Sequence, residues 1–341
     1  MGVAGVGFAL PGPPLPGPTP FAGHLCAPGE RRMSTCSSQI SIPEVKEALG
    51  RSGYLVESRV EGVLRRAGYY VDANSTYSDP ATGKSREIDL FAISARQGGP
   101  ERLDLVWDVI LVECSNNPQP LAFLTRDPLV NALHREHIKV SGLPVKIPRG
   151  AVGGSWEMLS GFLRMETYHH WCAGRLATQF CCFQRKKNSG EWMAHHEDSD
   201  FSSFVKLCDA LDFYSKKHFQ SWLFGEHENV NLQFYYPVLL VQGSLLDVRQ
   251  RPRSLRVSST QHIHFRQSAI REGEEVDYHI DVVTERFFPR YLLLVENEMK
   301  KAARLMRRRG KIVRMAIDRI AKKAGRLRSP ERIQAALDFR P

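Results

Sequence analysis

One apolar run constrains the fold of this chain more than any other feature. The segment Leu105–Ser115 reads LVWDVILVECS and is apolar at nearly every position. A strand with apolar side chains on both faces has to be covered on both faces, as in the centre of an α/β sheet. Two further strand candidates precede it, Tyr69–Tyr77 and Arg86–Ser94, with Gly- and Pro-containing turn signals between them. We therefore expect three consecutive strands.

A helix is predicted immediately before these strands. Val56, Val60 and Leu64 follow the spacing of one apolar helical stripe, and Gly68 supplies the helix stop. A shorter helix is predicted ahead of it, beginning at the capping sequence around Ser41. The first part of the chain thus predicts helices followed by three strands.

The second half of the chain again alternates helix and strand. An amphipathic helix is predicted over 201–222, followed by the strands Phe234–Gln242 and Val276–Thr284. Because proline cannot donate to a ladder, Pro237 favours either a place at the sheet edge for the first of these strands or a position of the proline among the first residues of that strand. The intervening segment Trp156–Phe180 has a helix-like pattern. The order of elements predicts an α/β sandwich around a central mixed sheet.

The same patterns suggest a division of the chain into five parts. The predicted parts are a disordered Pro/Gly-rich N-terminus over 1–40, a first half of the core over 41–117, an insertion over 118–200, a second half of the core over 201–289, and a basic helical tail over 290–341. Met33 is an alternative start of translation, which would remove most of the first part.

Positive charge is concentrated near the C-terminus. The chain carries a net charge of +10, and the segment from Lys300 to Arg332 holds fourteen Lys or Arg against two acids. A basic helical surface of this kind is typical of phosphate contact, so nucleic acid is the expected partner. A solvated helix and an anionic membrane surface are the alternatives that the charge pattern leaves open.

The cysteines and the hydropathy indicate the compartment. The seven cysteines are odd in number and form no CxxC pair, which favours a reducing, cytoplasmic environment. No apolar run reaches the roughly 18–20 residues that a membrane span needs. We therefore expect no transmembrane segment, and the sequence leaves the oligomeric state open.

Two acidic residues interrupt the predicted apolar strands. If the second and third strands form a hairpin whose paired residue numbers sum to about 202, Asp89 lies opposite Glu113. Directly opposed residues have Cβ atoms roughly 4.5–5.5 Å apart, so two carboxylates there require a cation or a proton. Mg²⁺ suits one or two protein carboxylates and keeps several waters, and Mn²⁺ is the alternative ion. The prediction depends on the register, because a slip of one residue moves a carboxylate to the other face.

The motifs around these acids resemble a known superfamily. The predicted helix beginning Glu57-Ser-Arg-Val60, the strand Arg86-Glu-Ile-Asp89 and the strand Val109-Ile-Leu-Val-Glu113 resemble the Mrr-type core of PD-(D/E)xK, restriction-endonuclease-like proteins over about 70 residues. That resemblance implies an αβββαβ core with a central mixed sheet. It also implies Asp89 and Glu113 as metal ligands, Glu57 as an outer ligand or water-orienting group, and Mg²⁺-dependent hydrolysis of nucleic acid, DNA in the first place.

The chain departs from that pattern at one catalytic position. The motif lysine, two residues after the acid of the third strand, is Ser115, which cannot supply a positive charge. Lys84, or more weakly the neutral Asn116, is a candidate to act in its place. The sequence therefore predicts a metal-dependent endonuclease whose catalytic residues are Glu57, Asp89, Glu113, Ser115 and Lys84. A catalytically degenerate nucleic-acid-binding or assembly protein on the same fold is the alternative.

Two further groups of metal-compatible residues favour structural roles. The first group is His169, His170, Cys172, Cys181, Cys182, His195 and His196. A structural zinc in the insertion is the alternative for this group, but its spacing matches no standard zinc finger, and buried cysteines are common core residues. In the second group, Asp277, His279 and Asp281 alternate along the last predicted strand. That alternation alone predicts the exposed face of an edge strand.

Overall fold

A computed structural model of the chain describes most of it from residue 40 onward. The described residues are 40–52, 54–79, 82–99, 104–117, 119–127, 138–142, 146–149, 155–195, 198–223 and 230–327. The predicted disordered tract over 1–40 therefore lies outside the described residues, except for Ile40.

Six α-helices occur among the described residues. They are α1 (Ile42–Arg51), α2 (Tyr54–Arg66), α3 (Leu159–Phe162), α4 (His170–Ala173), α5 (Asp198–Leu223) and α6 (Phe288–Leu327). Ser41 and Glu44 form a capping box that begins α1, and Gly68, with φ of +86°, follows α2 as the predicted helix stop. The segment Trp156–Phe180 does not form the predicted helix, because β-structure occupies both of its ends.

Fourteen strands occur in the same part of the chain. They are β1 (Tyr70–Ser78), β2 (Ser85–Gln97), β3 (Leu105–Ser115), β4 (Leu121–Arg126), β5 (Val140–Ser141), β6 (Lys146–Arg149), β7 (Ser155–Met158), β8 (Leu176–Arg185), β9 (Trp192–His195), β10 (Asn231–Val241), β11 (Leu245–Arg251), β12 (Ser254–Thr260), β13 (His262–Arg271) and β14 (Glu274–Thr284). The five strands predicted from sequence correspond to β1, β2, β3, β10 and β14.

Twelve strands form one large mixed sheet. Its main order is β1-β2-β3-β10-β14-β13-β8-β4-β11-β12, with β5 and β9 paired at its side, while β6 and β7 form a separate pair. The hairpins β1-β2 and β2-β3 are antiparallel, and β3, β10 and β14 run parallel to one another. The predicted mixed α/β architecture with a central sheet is confirmed.

The register of the β2–β3 hairpin agrees with the prediction. The pairs Phe91↔Leu111 and Ile93↔Val109 both sum to 202, and the ladder ends at Leu90↔Val112. Asp89 and Glu113 are the next residues along the two strands. The hairpin therefore delivers both acids to the point where β2 and β3 separate.

Each face of the sheet carries its own hydrophobic core. On one face, α2 and α6 pack Val60, Leu64 and Met299 against Ile110 and Val112 of β3. This buried face shows that the helix predicted as a basic tail packs on the sheet along much of its length. The other face is covered by α5. Phe204, Leu207 and Cys208 pack there against residues of the central strands, among them Val109, Leu111 and Leu239.

Side-chain alternation assigns the acidic residues to these faces. Because residues two apart on a strand share a face, Glu113 lies on the α5 face with Leu111. Asp281 lies on the α6 face with Val283. The sheet thus separates Glu113 from Asp281.

Two sequence predictions about strand position are wrong. β10 lies between β3 and β14, not at an edge. On the side of β10 that faces β14, β5 pairs with β10 at Phe234, and β14 pairs with it only from Val238 onward. Pro237 lies between these two ladders, so its missing N–H costs no ladder hydrogen bond there. β14 is likewise internal, and Asp281 is buried with 0% exposure instead of facing solvent.

The described part of the chain contains no helix that combines the length and apolarity needed to cross a bilayer. Its five cysteines, Cys114, Cys172, Cys181, Cys182 and Cys208, are all free thiols.

Candidate active site

Three elements bring the predicted acids together. Glu57 lies in the first turn of α2, Asp89 lies on β2, and Glu113 lies on β3. The Asp89 carboxylate accepts the backbone N–H of Cys114 at 2.7 Å, so its side chain bridges the strands just beyond the end of their ladder. The three carboxylates are close enough for their charges to act on one another's pKa values.

A lysine that the sequence did not single out completes this group. Lys206 of α5 donates a hydrogen bond from Nζ to Oε1 of Glu113. Its side chain is 29% exposed, while that of Glu113 is 6% exposed. The ammonium group of Lys206 therefore lies beside Glu113. In the motif that this strand resembles, a lysine follows the acid at that position.

Burial and mutual repulsion disfavour the ionised acids. Burial raises the pKa of Glu113 to about 7, with the negative charge of Asp89 adding to the rise and Lys206 opposing it. Burial is also the main cause of a raised pKa at Asp89 and at Glu57, and Lys206 partly offsets both. One lysine does not compensate three neighbouring carboxylates, so the site favours an added cation or protons.

The donor set fits a hard divalent ion. The second oxygen of Glu113, Oε2, is buried and has no hydrogen-bond partner among the described residues. Asp89 and Glu113 supply the one or two carboxylates that Mg²⁺ or Mn²⁺ takes from a protein. The three acids do not form a set in which ligand atoms all lie within 4.8 Å of one another, whereas two histidine-containing groups do.

The other two predicted catalytic residues occupy different surroundings. Ser115 is buried on the same face of β3 as Glu113, and its Oγ accepts the N–H of Asn117 at 3.4 Å. Lys84 is exposed and precedes Asp89 by five residues, about 16 Å along an extended strand. The structure therefore does not bring Lys84 to the carboxylates.

A cleft of about 280 Å³ lies beside α2 but does not contain the acids. Arg59, Arg66 and Phe288 are among its lining residues, and Arg59 forms an ion pair with Glu285 at 2.6 Å. We place the candidate chemistry at the carboxylates, because the charged residues Arg59 and Glu285 of the cleft neutralise each other in an ion pair.

A second group of ionisable residues lies on the α6 face. Asp281 receives contacts from four side chains: His170 Nε2 at 2.9 Å, His262 Nε2 at 2.7 Å, Trp171 Nε1 at 3.1 Å and the Tyr291 hydroxyl at 2.8 Å. These residues come from α4, β13, β14 and α6. We call this group, together with His169 and Glu298, the histidine cluster.

Glu298 holds the other side of His170. Its Oε1 accepts the backbone N–H of His170 at 2.7 Å and lies 2.9 Å from the ring Nδ1. Tyr236 donates its hydroxyl to Oε2 at 3.2 Å. The imidazole of His170 is therefore held between two buried carboxylates.

The two carboxylates reverse the usual effect of burial on His170. Burial alone disfavours the imidazolium, but Asp281 and Glu298 outweigh it and raise the pKa of His170 to about 10. Burial lowers the pKa of the neighbouring His169 to about 4. The same imidazolium holds the pKa of Asp281 well below its usual range, although burial acts in the opposite direction.

The sequence predictions separate the members of this cluster. They group His169 and His170 with cysteines and place Asp281 on an exposed edge strand. The structure instead places Cys182 against His195, with its Sγ 3.5 Å from Nε2, away from the histidine cluster. His196 lies outside the described residues. Periodicity gives no signal for the cluster, since its members come from four separate elements, one of which, α4, is distant in the chain from the other three.

The exposed side of α6 carries much of the positive charge. Lys300, Lys301, Arg304, Arg308 and Lys311 are exposed, and the opposite side of the helix is buried in the core. Other cations of α6 bind inward, for example Arg314, which contacts the Asp104 carboxylate at 2.6 Å. The exposed set forms a basic surface, which we call the α6 basic surface.

Comparison of the chain with family models, curated proteins and solved structures found no match.

Proposed function

We propose that this protein is a metal-dependent nuclease that hydrolyses phosphodiester bonds of nucleic acid, DNA in the first place. The observation that supports this most strongly is the contact of Lys206 with Glu113, beside Asp89 and Glu57. Lys206 supplies from α5 the positive charge that Ser115 of β3 does not supply.

The order of elements supports the proposal independently of the side chains. An αβββαβ sequence is formed by α2, β1, β2, β3, α5 and β10, with β10 parallel to β3 after the α5 crossover. This order agrees with the arrangement that the resemblance to PD-(D/E)xK proteins implies, and it supports the roles that the resemblance suggests for Glu57, Asp89 and Glu113.

The residues divide the chemical work as follows. Asp89 and Glu113 would hold magnesium or manganese, with Glu57 as an outer ligand; such an ion polarises a phosphoryl oxygen and lowers the pKa of bound water. The ammonium of Lys206 would stabilise negative charge that develops on the phosphate. Oε2 of Glu113 provides a buried acceptor for a water proton or an ion.

The α6 basic surface supports nucleic acid as the substrate. Lys300 and Lys311 are separated by about 16 Å along the helix, which matches several successive phosphates. Binding through such cations is salt-dependent and sequence-independent. We expect the α6 basic surface to bind the phosphate backbone of the nucleic acid, while the carboxylate site cleaves it.

A catalytically degenerate nucleic-acid-binding or assembly protein is the second candidate. Ser115 favours it, because the strand position itself carries no cation. This candidate predicts binding without cleavage, and the same experiment separates the two.

The decisive experiment is nicking of supercoiled plasmid with Mg²⁺ or Mn²⁺ by the full chain. We expect Asp89→Asn and Lys206→Met each to lower the rate by about 10²-fold or more, the range for losing a group that stabilises transition-state charge. Lys216→Met is the matched control, because Lys216 lies on the same helix but pairs with the exposed Glu272. Its rate should equal that of wild type.

A wild-type protein that binds DNA but nicks no plasmid with either ion would contradict the nuclease. A Lys206→Met variant that cleaves as fast as wild type would contradict the catalytic role of Lys206. If Ser115→Lys converts an inert wild type into a nuclease, the degenerate alternative is supported.

A further inference from the structure

We propose that the histidine cluster is a second metal site, in which His170, His262 and Asp281 bind a divalent first-row transition ion, zinc or iron(II). This site is distinct from the carboxylate site and does not depend on the proposed nuclease function. It lies on the α6 face of the sheet, whereas Glu113 lies on the α5 face.

The ligand atoms converge on one position. Nε2 of His170 and Nε2 of His262 both approach the Asp281 carboxylate, at 2.9 and 2.7 Å, and the three ligand atoms all lie within 4.8 Å of one another. An ion with bonds of roughly 2.0–2.2 Å to nitrogen and oxygen needs ligand atoms about 3 Å apart. Only small side-chain movements are therefore required.

The surrounding residues are arranged as they are around bound metals. If His170 binds the ion through Nε2, its Nδ1–H donates to Glu298, 2.9 Å away. A carboxylate that orients a ligating histidine in this way fixes its tautomer and strengthens the bond to the metal. Tyr291 and Trp171 hold Asp281 through its own oxygens.

A divalent ion would balance the charge of the two buried carboxylates. Asp281 and Glu298 are 0% and 3% exposed and carry two negative charges when ionised. A divalent ion bound by Nε2 of two neutral histidines, each keeping its proton on Nδ1, supplies two positive charges. Buried uncompensated charge is costly, so this charge match favours binding of the ion.

The ligands select the class of ion. Two imidazoles and one carboxylate suit zinc and iron(II), whereas Mg²⁺ prefers oxygen ligands alone. Three protein ligands leave a coordination position for water, as in catalytic zinc sites. The His262 side chain is 21% exposed, which gives that position a route to solvent.

The first test is metal analysis of the untagged full chain purified without chelator. We expect about one zinc or iron per chain by inductively coupled plasma mass spectrometry, and the element found decides between the two ions. After removal of the ion, titration with Zn²⁺ or anaerobic Fe²⁺ should restore one equivalent and raise the melting temperature. Co²⁺ should give visible d–d absorption bands in the wild-type protein.

Variants then assign the ligands. His262→Gln should reduce the metal content to background, and Tyr291→Phe should weaken binding about 10–100-fold, as loss of a partner that orients a ligand does. His195→Gln and Glu113→Gln are the controls, and both should retain the ion. Retention by Glu113→Gln separates this site from the carboxylate site.

The proposal is overturned if the wild-type protein binds neither zinc, iron nor cobalt. It is also overturned if a folded His262→Gln variant, checked by circular dichroism, retains the ion with wild-type affinity. Because the wild-type measurements involve no substitution, a variant that fails to fold leaves the test intact.

Discussion

The pKa values of buried carboxylates are shifted in opposite directions on the two faces of the sheet. On the α5 face, Glu113 contacts Lys206, lies near the carboxylates of Asp89 and Glu57, and has a pKa that burial raises to about 7. On the α6 face, Asp281 receives contacts from four side chains, and its pKa is held well below the usual range despite complete burial. The supply of donors, not the depth of burial, determines which acid stays ionised.

This difference also indicates which ion each face accepts. The oxygen-only carboxylate site lacks positive charge, so a hard ion such as Mg²⁺ can be added to it. The histidine cluster already holds protons where an ion would bind, so an ion has to displace them. Only metals with affinity for imidazole nitrogen compete well there. The following predictions are ordered from the largest expected effect to the smallest.

The largest effect is expected from breaking the histidine cluster. Asp281→Ala leaves the buried His170 with one carboxylate and removes the acceptor of Trp171 and Tyr291. Breaking a buried charge pair in this way costs about 3–5 kcal/mol of unfolding free energy. Urea unfolding measures it. Asp277→Ala on the same strand, where the acid is partly exposed, is the control and should cost no more than about 1 kcal/mol.

On the other face, we expect the removal of an acidic charge to stabilise the protein. The pKa of Glu113 rises from 4.5 unfolded to about 7 folded, so between these values the unfolded state ionises first and stability falls as pH rises. Glu113→Gln removes that loss. Without metal, we expect it to be more stable than wild type by about 2–3 kcal/mol at pH 8 and equal to it at pH 4. A destabilised Glu113→Gln variant at pH 8 would contradict the assignment.

The contribution of Lys206 to the free energy of unfolding should increase with the negative charge on Glu113. Lys206→Met removes the charged hydrogen bond to that acid, which is worth about 1.5–2 kcal/mol when its partner is ionised. The loss should appear at pH 8 and diminish at pH 4, where Glu113 is protonated. Lys216→Met pairs with an exposed acid and should change stability by less than about 0.5 kcal/mol at either pH. Equal effects of the two variants would remove Lys206 from the site.

Local pattern predicted the parts of the carboxylate site that depend on neighbouring strands. The loop between β2 and β3 and the alternation of apolar residues specify the register, and that register places Asp89 next to Glu113. Lys206 was not predictable, because its contact depends on how α5 crosses the sheet after a long intervening segment. Helix periodicity predicts which side of α5 is apolar. It does not predict that Lys206, beside that apolar side, reaches the end of β3.

The histidine cluster shows the same limit more strongly. The alternation around Asp281 correctly predicts a strand, yet alternation is the same for an exposed face and for a face covered by polar partners. Which one applies depends on α6 and on the segment of His170, more than a hundred residues away. Sequence periodicity specifies a face, whereas tertiary packing specifies what covers it.

Magnesium gives the smallest predicted effect and the sharpest comparison between the two faces. An ion present at ten times its dissociation constant stabilises the folded state by about 1.4 kcal/mol. We expect this gain at pH 8, and a smaller one at pH 6, where protons compete for Glu113. The gain should disappear in Glu113→Gln and persist in His262→Gln, because His262 belongs to the opposite face. A thermal-melt titration measures both. If magnesium and manganese leave the wild-type melting temperature unchanged at pH 8, the carboxylates do not bind them, and the nuclease proposal loses its chemical basis while the transition-metal site on the other face is unaffected.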